Sequence, residues 1–242
     1  MGPAILASLL VGACIALGGA VSSLVAGRQP RSLAALLGFP GGLVLGIAGL
    51  EAMPSAVAIA GLGWASLGFL AGTGAMVILH RLLHHRQRSS PAAHAQQRWL
   101  RAGLLAGAGV VLHNVMDGVG IGAGFAHEAH LGWVMAAAVL LHNLPVGLLI
   151  GLPLCLGRVA PGRVMAYTLL AGLITPVGAL LGSVVSLGSP AGLTLGLSLA
   201  AGSLFYIISR ELLPLALAQH RLLAATATLL GLAAAAAGKL WL

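Results

Sequence analysis

The stretch His113-Asn114-Val115-Met116-Asp117-Gly118 returns, 29 residues on, as His142-Asn143-Leu144-Pro145-Val146-Gly147. The likeness runs past the glycine to Ile121-Gly122 in the first copy and Ile150-Gly151 in the second, so both read H-N-x-x-x-G-x-x-I-G. Each copy lies inside a long apolar run. On a helix, His113 and Asp117 share a face, close enough for one ion to touch both. Polar side chains inside a bilayer are expensive to place, and they line a site or a pathway far more often than they fill space.

The surroundings of the two copies fix the class of molecule. Of 242 residues, 59% are hydrophobic and 7% charged, with 36 glycines. Globular domains carry about 25% charged residues. This chain lacks the polar residues to cover a water-facing surface, so it reads as an all-α polytopic membrane protein, one transmembrane domain over 1–242. The formal charge of +8 does not point to nucleic acid, because the basic residues are scattered between apolar runs. Cys14 and Cys155 both lie inside such runs with no Cys-x-x-Cys pattern, and read as small core residues.

Runs long enough to cross a core of about 30 Å occur at roughly 4–26, 33–54, 57–79, 102–125, 131–153, 164–187, 190–213 and 222–241, numbered here as spans 1 to 8. With eight spans, Arg28 and Arg31, the arginines of the 80–101 loop, Arg158 and Arg163, and Arg210 and Arg221 all fall on one side. The opposite loops hold no Arg or Lys except Lys239 at the C-terminus. The positive-inside rule then predicts a cytosolic 80–101 loop, both termini outside, and insertion in the plasma or inner membrane.

Spans 4 and 5 become an antiparallel hairpin closed by an outer loop at 126–131. His113 and His142 each lie about eleven residues in from opposite faces, about 17 Å deep at 1.5 Å per residue. A second pair repeats the opposition. Glu51-Ala52-Met53-Pro54-Ser55-Ala56 ends span 2, running outward, and Glu211-Leu212-Leu213-Pro214-Leu215-Ala216 ends span 7, running inward. Both read E-x-x-P-x-A. They predict inverted repeats of spans 1–3 and 6–8 around the 4–5 hairpin, with a site at the midplane. Of the four acidic residues, Glu51, Asp117, Glu128 and Glu211, only Asp117 is predicted near mid-membrane. Its charge needs a metal ion, a proton or the two histidines to offset it.

These residues resemble the ZIP (Zrt/Irt-like) family of divalent-metal transporters. The family's fourth span carries H-N-x-P-[DE]-G, matched by His113, Asn114, Asp117 and Gly118, with Met116 in place of proline. Its fifth carries H-[ED]-x-P-E-G, matched by His142, Pro145 and Gly147; Asn143 and Val146 stand where the family has carboxylates. Thr175, in Leu173-Ile174-Thr175-Pro176-Val177-Gly178, stands where the family has glutamate. The family's site is commonly binuclear, bridged by carboxylates. With one carboxylate left, two adjacent dications would repel with little to offset them. The resemblance therefore implies one site, built from His113, Asp117 and His142 with weaker oxygen ligands from Asn114 and Asn143. Imidazole and carboxylate suit Zn²⁺, Fe²⁺, Ni²⁺ or Co²⁺ rather than Mg²⁺ or Ca²⁺.

The leading expectation is transport of one such ion, zinc foremost, toward the cytosol by alternating access, with the ion as substrate and no organic cofactor. A transport-inactive metal sensor or scaffold is a second reading. An intramembrane zinc hydrolase is a third, weakened by the lack of a second midplane carboxylate to act as base. The predicted partners are the metal ion and the lipid bilayer, with no nucleic acid and with a homodimer left open. The two asparagines could instead cap backbone carbonyls, and the main site residues could be a hydrogen-bonded staple. Pro145 and Pro176 each free a carbonyl mid-span. His80, His84, His85 and His94 read as a solvated loop, with His80 and His84 spaced to share a metal if span 3 continues as helix. His127, Glu128 and His130 read as a polar outer loop, or else a capture site.

Overall fold

A computed structural model describes residues 1–84, 91–184 and 189–241. Eight helices in it are long and apolar enough to cross a membrane. They are α1 (Gly2–Val25), α2 (Pro30–Ala60), α3 (Leu62–His84), α4 (Pro91–His127), α5 (Ala129–Leu156), α6 in two pieces (Pro161–Gly172 and Ile174–Val184), α7 (Pro190–Gln219) and α8 (Arg221–Trp241). No strand occurs among the described residues. Proline opens most of the rods: Pro3, Pro30, Pro91, Pro161 and Pro190 stand at or beside the first helical position. There the missing N–H has no acceptor to lose and the fixed φ suits the helix. Gly61 alone joins α2 to α3, at φ +86°, a conformation open to glycine and strained for other residues.

The spans number eight as expected, but three boundaries differ. Glu51 and Glu211 do not end their helices. Each lies in a π-helical turn, Ile47–Ala52 or Ile208–Leu212, and the rod then continues as α-helix to Ala60 or Gln219. The reason is the following proline. Pro54 and Pro214 cannot donate to the carbonyl four residues back and would crowd it, and one wider turn absorbs both problems without breaking the rod. Second, the 80–101 segment is largely helical, since α3 runs to His84 and α4 starts at Pro91. Third, the 126–131 loop contracts to Glu128, the one non-helical residue between α4 and α5. The prolines of the site region behave differently from each other. α5 runs through Pro145 unbroken, whereas α6 breaks at Leu173, three residues before Pro176.

The rods sort into two bundles by their main packing partners. α1 lies on α5 and α6, and α4 on the same two; α2 lies on α8, and α3 on α7. Within a bundle, glycines let backbones touch. A Cβ on Gly18 would collide with the Leu144 carbonyl, and one on Gly147 with the Ile15 carbonyl, so α1 and α5 cross at those two residues. Gly118 and Gly178 make the same crossing between α4 and α6, against Thr175 and Val115. Gly12 and Gly172 meet between α1 and α6, Gly42 and Thr228 between α2 and α8, and Gly72 and Leu199 between α3 and α7. Such close approach is how small residues hold membrane helices together. The seam between bundles, chiefly α4 on α7 and α2 on α5, is made otherwise. A Cβ on Gly109 would meet the Cδ1 tip of Ile207, and one on Gly196 the Met116 sulfur. At these two glycines the nearest atoms across the seam are side-chain tips, not backbone.

Candidate metal site

His113 and Asp117 sit one turn apart on α4, and His142 faces them from the middle of α5, thirteen residues from the start of that helix and fourteen from its end. That places its ring about 20 Å from either end at 1.5 Å per residue. Both histidines are buried. Their Nε2 atoms converge on a single carboxylate oxygen, Asp117 Oδ2, at 3.3 Å from His113 and 3.4 Å from His142. The imidazole centroids are 5.6 Å apart, with planes inclined at 46°. One ligand atom from each of the three residues falls within 4.8 Å of the other two.

The His142 Nε2–Asp117 Oδ2 contact lies at the long end of hydrogen-bond reach, and both separations also match the ligand spacing of a bound ion. Charge-assisted N–H···O bonds run about 2.7–2.9 Å, well short of 3.3–3.4 Å. A tetrahedral zinc ion with bonds of about 2.0–2.1 Å separates its ligand atoms by about 3.3–3.4 Å. The proton placement agrees. His142 Nδ1 lies 3.1 Å from the Ala138 carbonyl, an acceptor only, so Nδ1 carries the hydrogen. In the neutral ring Nε2 is then a bare lone pair facing an anionic oxygen. Two lone-pair donors at that distance repel unless a cation, metal or proton, sits between them. A histidine whose far nitrogen is tied to a carbonyl is the usual arrangement of a metal-ligating imidazole.

Asn114 and Asn143 stand beside the histidines and are fully buried. Asn114 Nδ2 donates to the Ala171 carbonyl on α6 at 2.8 Å, and Asn143 Nδ2 to the Val11 carbonyl on α1 at 3.0 Å. Each amide is thereby oriented, and each Oδ1 is buried with no hydrogen bond. Thr175 Oγ1 is likewise buried and unpartnered. Neutral oxygens left over in a dry interior are suited to a cation or a water. The carbonyl-binding role expected for the asparagines as an alternative thus exists, and leaves their oxygens over.

Other candidates from the sequence separate. His127, Glu128 and His130 are exposed, and they form no three-ligand group; among the described residues His113, Asp117 and His142 make the only one. His85 and the side chain of His84 lie outside the described residues. His80 is not a loop residue: it sits on α3, with Nδ1 2.7 Å from Glu211 Oε1. Arg101 Nε lies 3.5 Å from the other oxygen, Oε2. Sequence reasoning missed this group by assigning His80 and Arg101 to a loop. Pro91 was the available signal, since a proline ahead of a polar, helix-favouring run marks a helix start.

The chain's likeness to known proteins agrees with this geometry. The family model described as ZIP zinc transporter matches residues 79–238. Zinc transporter GufA of Myxococcus xanthus is 30% identical over 149 residues, covering 61% of this chain and 58% of that protein. Zinc transporter ZupT of Corynebacterium efficiens is 28% identical over 235 residues, 88% of this chain and 87% of the relative. The ZupT of Chlorobium phaeovibrioides is also 28% identical, covering 88% of each chain. With two imidazoles and a carboxylate clustered midway along apolar helices, and the matched region containing all three, the chain belongs to the ZIP zinc transporter family.

Proposed function

We propose that this protein moves a divalent transition-metal ion, zinc foremost, across the membrane toward the cytosol, with His113, Asp117 and His142 as ligands and Asn114 and Asn143 lending oxygens. The observation that carries it is the convergence of both Nε2 atoms on Asp117 Oδ2 at a tetrahedral ligand spacing. The relatives named above are zinc transporters by name. The family is one of transporters, which sets the hydrolase reading aside.

Alternating access would come from one bundle moving against the other. Residue correspondences of the kind an inverted repeat would leave support this. Glu51 and Glu211, Pro54 and Pro214, Gly12 and Gly172, and Gly18 and Gly178 all correspond at one shift of 160 residues. So do Val11 and Ala171, the carbonyls that hold Asn143 and Asn114. The packing obeys the same exchange: α1 on α5 answers α6 on α4, and α2 on α8 answers α7 on α3. A bundle that holds the ion between two such repeats can face either side with equivalent contacts. The arginine distribution supports an orientation with the α3–α4 connection inside and both termini outside.

Purified protein in proteoliposomes tests the reading. Zinc should enter down an imposed gradient, and His113→Ala and His142→Ala should each lower the rate at least tenfold. Wild-type rates in both variants would remove the site from the mechanism.

A further inference from the structure

Two acidic residues occupy equivalent places at opposite ends of the molecule, and their surroundings differ. Glu51 is exposed. Glu211 is 4% exposed and lies between His80 of α3 and Arg101 of α4. His80 is also set edge-on against Tyr206 of α7, centroids 6.1 Å apart at 84°. Tyr206 and Glu211 are five residues apart, a spacing that a π-helical turn brings onto one face.

These contacts differ in what they join. α3 and α7 belong to one bundle, so His80 anchors the carboxylate within it. Arg101 comes from the other bundle, the one that carries His113, Asp117 and His142. The inter-span hydrogen bonds of the asparagines stay inside the site-bearing bundle. Those of Thr73 to Gly202 and Thr194 to Ala56 stay inside the second. The Arg101–Glu211 pair crosses the seam, a boundary where flexible side-chain tips rather than backbones approach Gly109 and Gly196 most closely. It lies twelve residues, about 18 Å, from His113 along α4. Burying such a pair costs about as much as the attraction returns, so it adds little net stability, while breaking it leaves a buried charge unpaired. Those energetics suit a contact that marks one conformation.

We propose that Arg101 and Glu211, with His80 holding the carboxylate in place, form a latch that closes the α4–α7 seam at the inner end of the transporter. Arg101 is a positioning residue: it sets which way the site opens without touching the ion. This rests on the two-bundle reading above; its main readout is a labelling rate that needs no zinc transport, so a failed transport assay and a failed latch are told apart, and zinc binding serves only to check folding.

Ile207 supplies the probe. It is 1% exposed, one turn from Glu211, and its tip packs at Gly109 across the seam. In full-length protein with Cys14 and Cys155 replaced by alanine, Ile207→Cys reports the seam through its reaction rate with a water-soluble maleimide. Arg101→Gln and Glu211→Gln should each raise that rate at least fivefold. The charge-reversed pair, Arg101→Glu with Glu211→Arg, should return it to within twofold of the parent. Zinc binding by the midplane site should be unaltered in all three, which separates an opened seam from a misfolded protein. Unchanged labelling in both single variants overturns the latch. So does a charge-reversed protein that labels as fast as the single variants while still binding zinc.

Discussion

Asp117 is the residue on which the site's charge balance turns. Two neutral imidazoles and two amides give a dication no counter-charge, and in a low-dielectric interior one carboxylate supplies most of it. Asp117→Asn keeps the shape and removes the charge. Zinc uptake into proteoliposomes should fall at least tenfold, and by more than in Asn114→Ala or Asn143→Ala, whose oxygens are secondary ligands at most. Uptake at the wild-type rate in Asp117→Asn would make the aspartate structural. Protons compete for the same lone pairs: a ligand must lose its proton before it binds metal. Affinity should therefore fall as pH is lowered, by about tenfold per unit for each proton displaced, as read by calorimetry over a series of pH values. Stoichiometry follows from the neighbours. Val146 is fully buried hydrocarbon and Thr175 a buried hydroxyl, neither able to neutralise a second ion. Bound zinc per chain should drop by one, not two, between wild type and the His113→Ala/His142→Ala double variant, measured by elemental analysis.

At the scale of elements, the glycines of the repeated motif have a defined duty. Gly118 and Gly147 are where α4 and α5 cross α6 and α1, backbone against backbone. A valine there cannot be met by a shift of some flexible tip. Gly147→Val should lower thermal stability, overpacking costing about 1–3 kcal/mol, and weaken zinc binding, because His142 is carried on the helix that must move. Gly74→Ala, with open space around it, should leave both unchanged; equal effects would deny the crossings their role. The sequence made much of this legible. Eight apolar runs and the residues that cluster at the candidate site, His113, Asp117 and His142, could be read because hydrophobic length, i,i+4 spacing and the repeated motif are local signals. Other features depend on tertiary context. A proline after Glu51 or Glu211 normally suggests a helix end, and only packing on both sides of the rod makes a π-helical turn the better solution. Polar residues around His80 and Arg101 look like loop in sequence, because their partner Glu211 is distant along the chain. The asparagine amides were ambiguous for the same reason, their carbonyl acceptors lying on other spans.

For the whole molecule, orientation decides whether the carrier imports or exports, and geometry alone is silent on it. The inverted repeat proposed above would give the two ends nearly equivalent backbones, which leaves charge as the source of asymmetry. Arg28, Arg31, Arg158, Arg163, Arg210 and Arg221 all lie toward one end in the eight-helix arrangement, with the α3–α4 connection. Glu128, between α4 and α5, lies toward the other. In the proposed orientation, with basic residues retained on the cytosolic side, Glu128 faces outside. Single cysteines in a cysteine-free background test this directly. Ala129 and Ala160 are both exposed and flank α5 at opposite ends. In intact cells an impermeant maleimide should label Ala129→Cys, and should label Ala160→Cys only after the membrane is permeabilised. The reverse pattern would turn the protein over. Glu211 and its latch would then guard the outer mouth, and the exposed Glu51 end would face the cytosol.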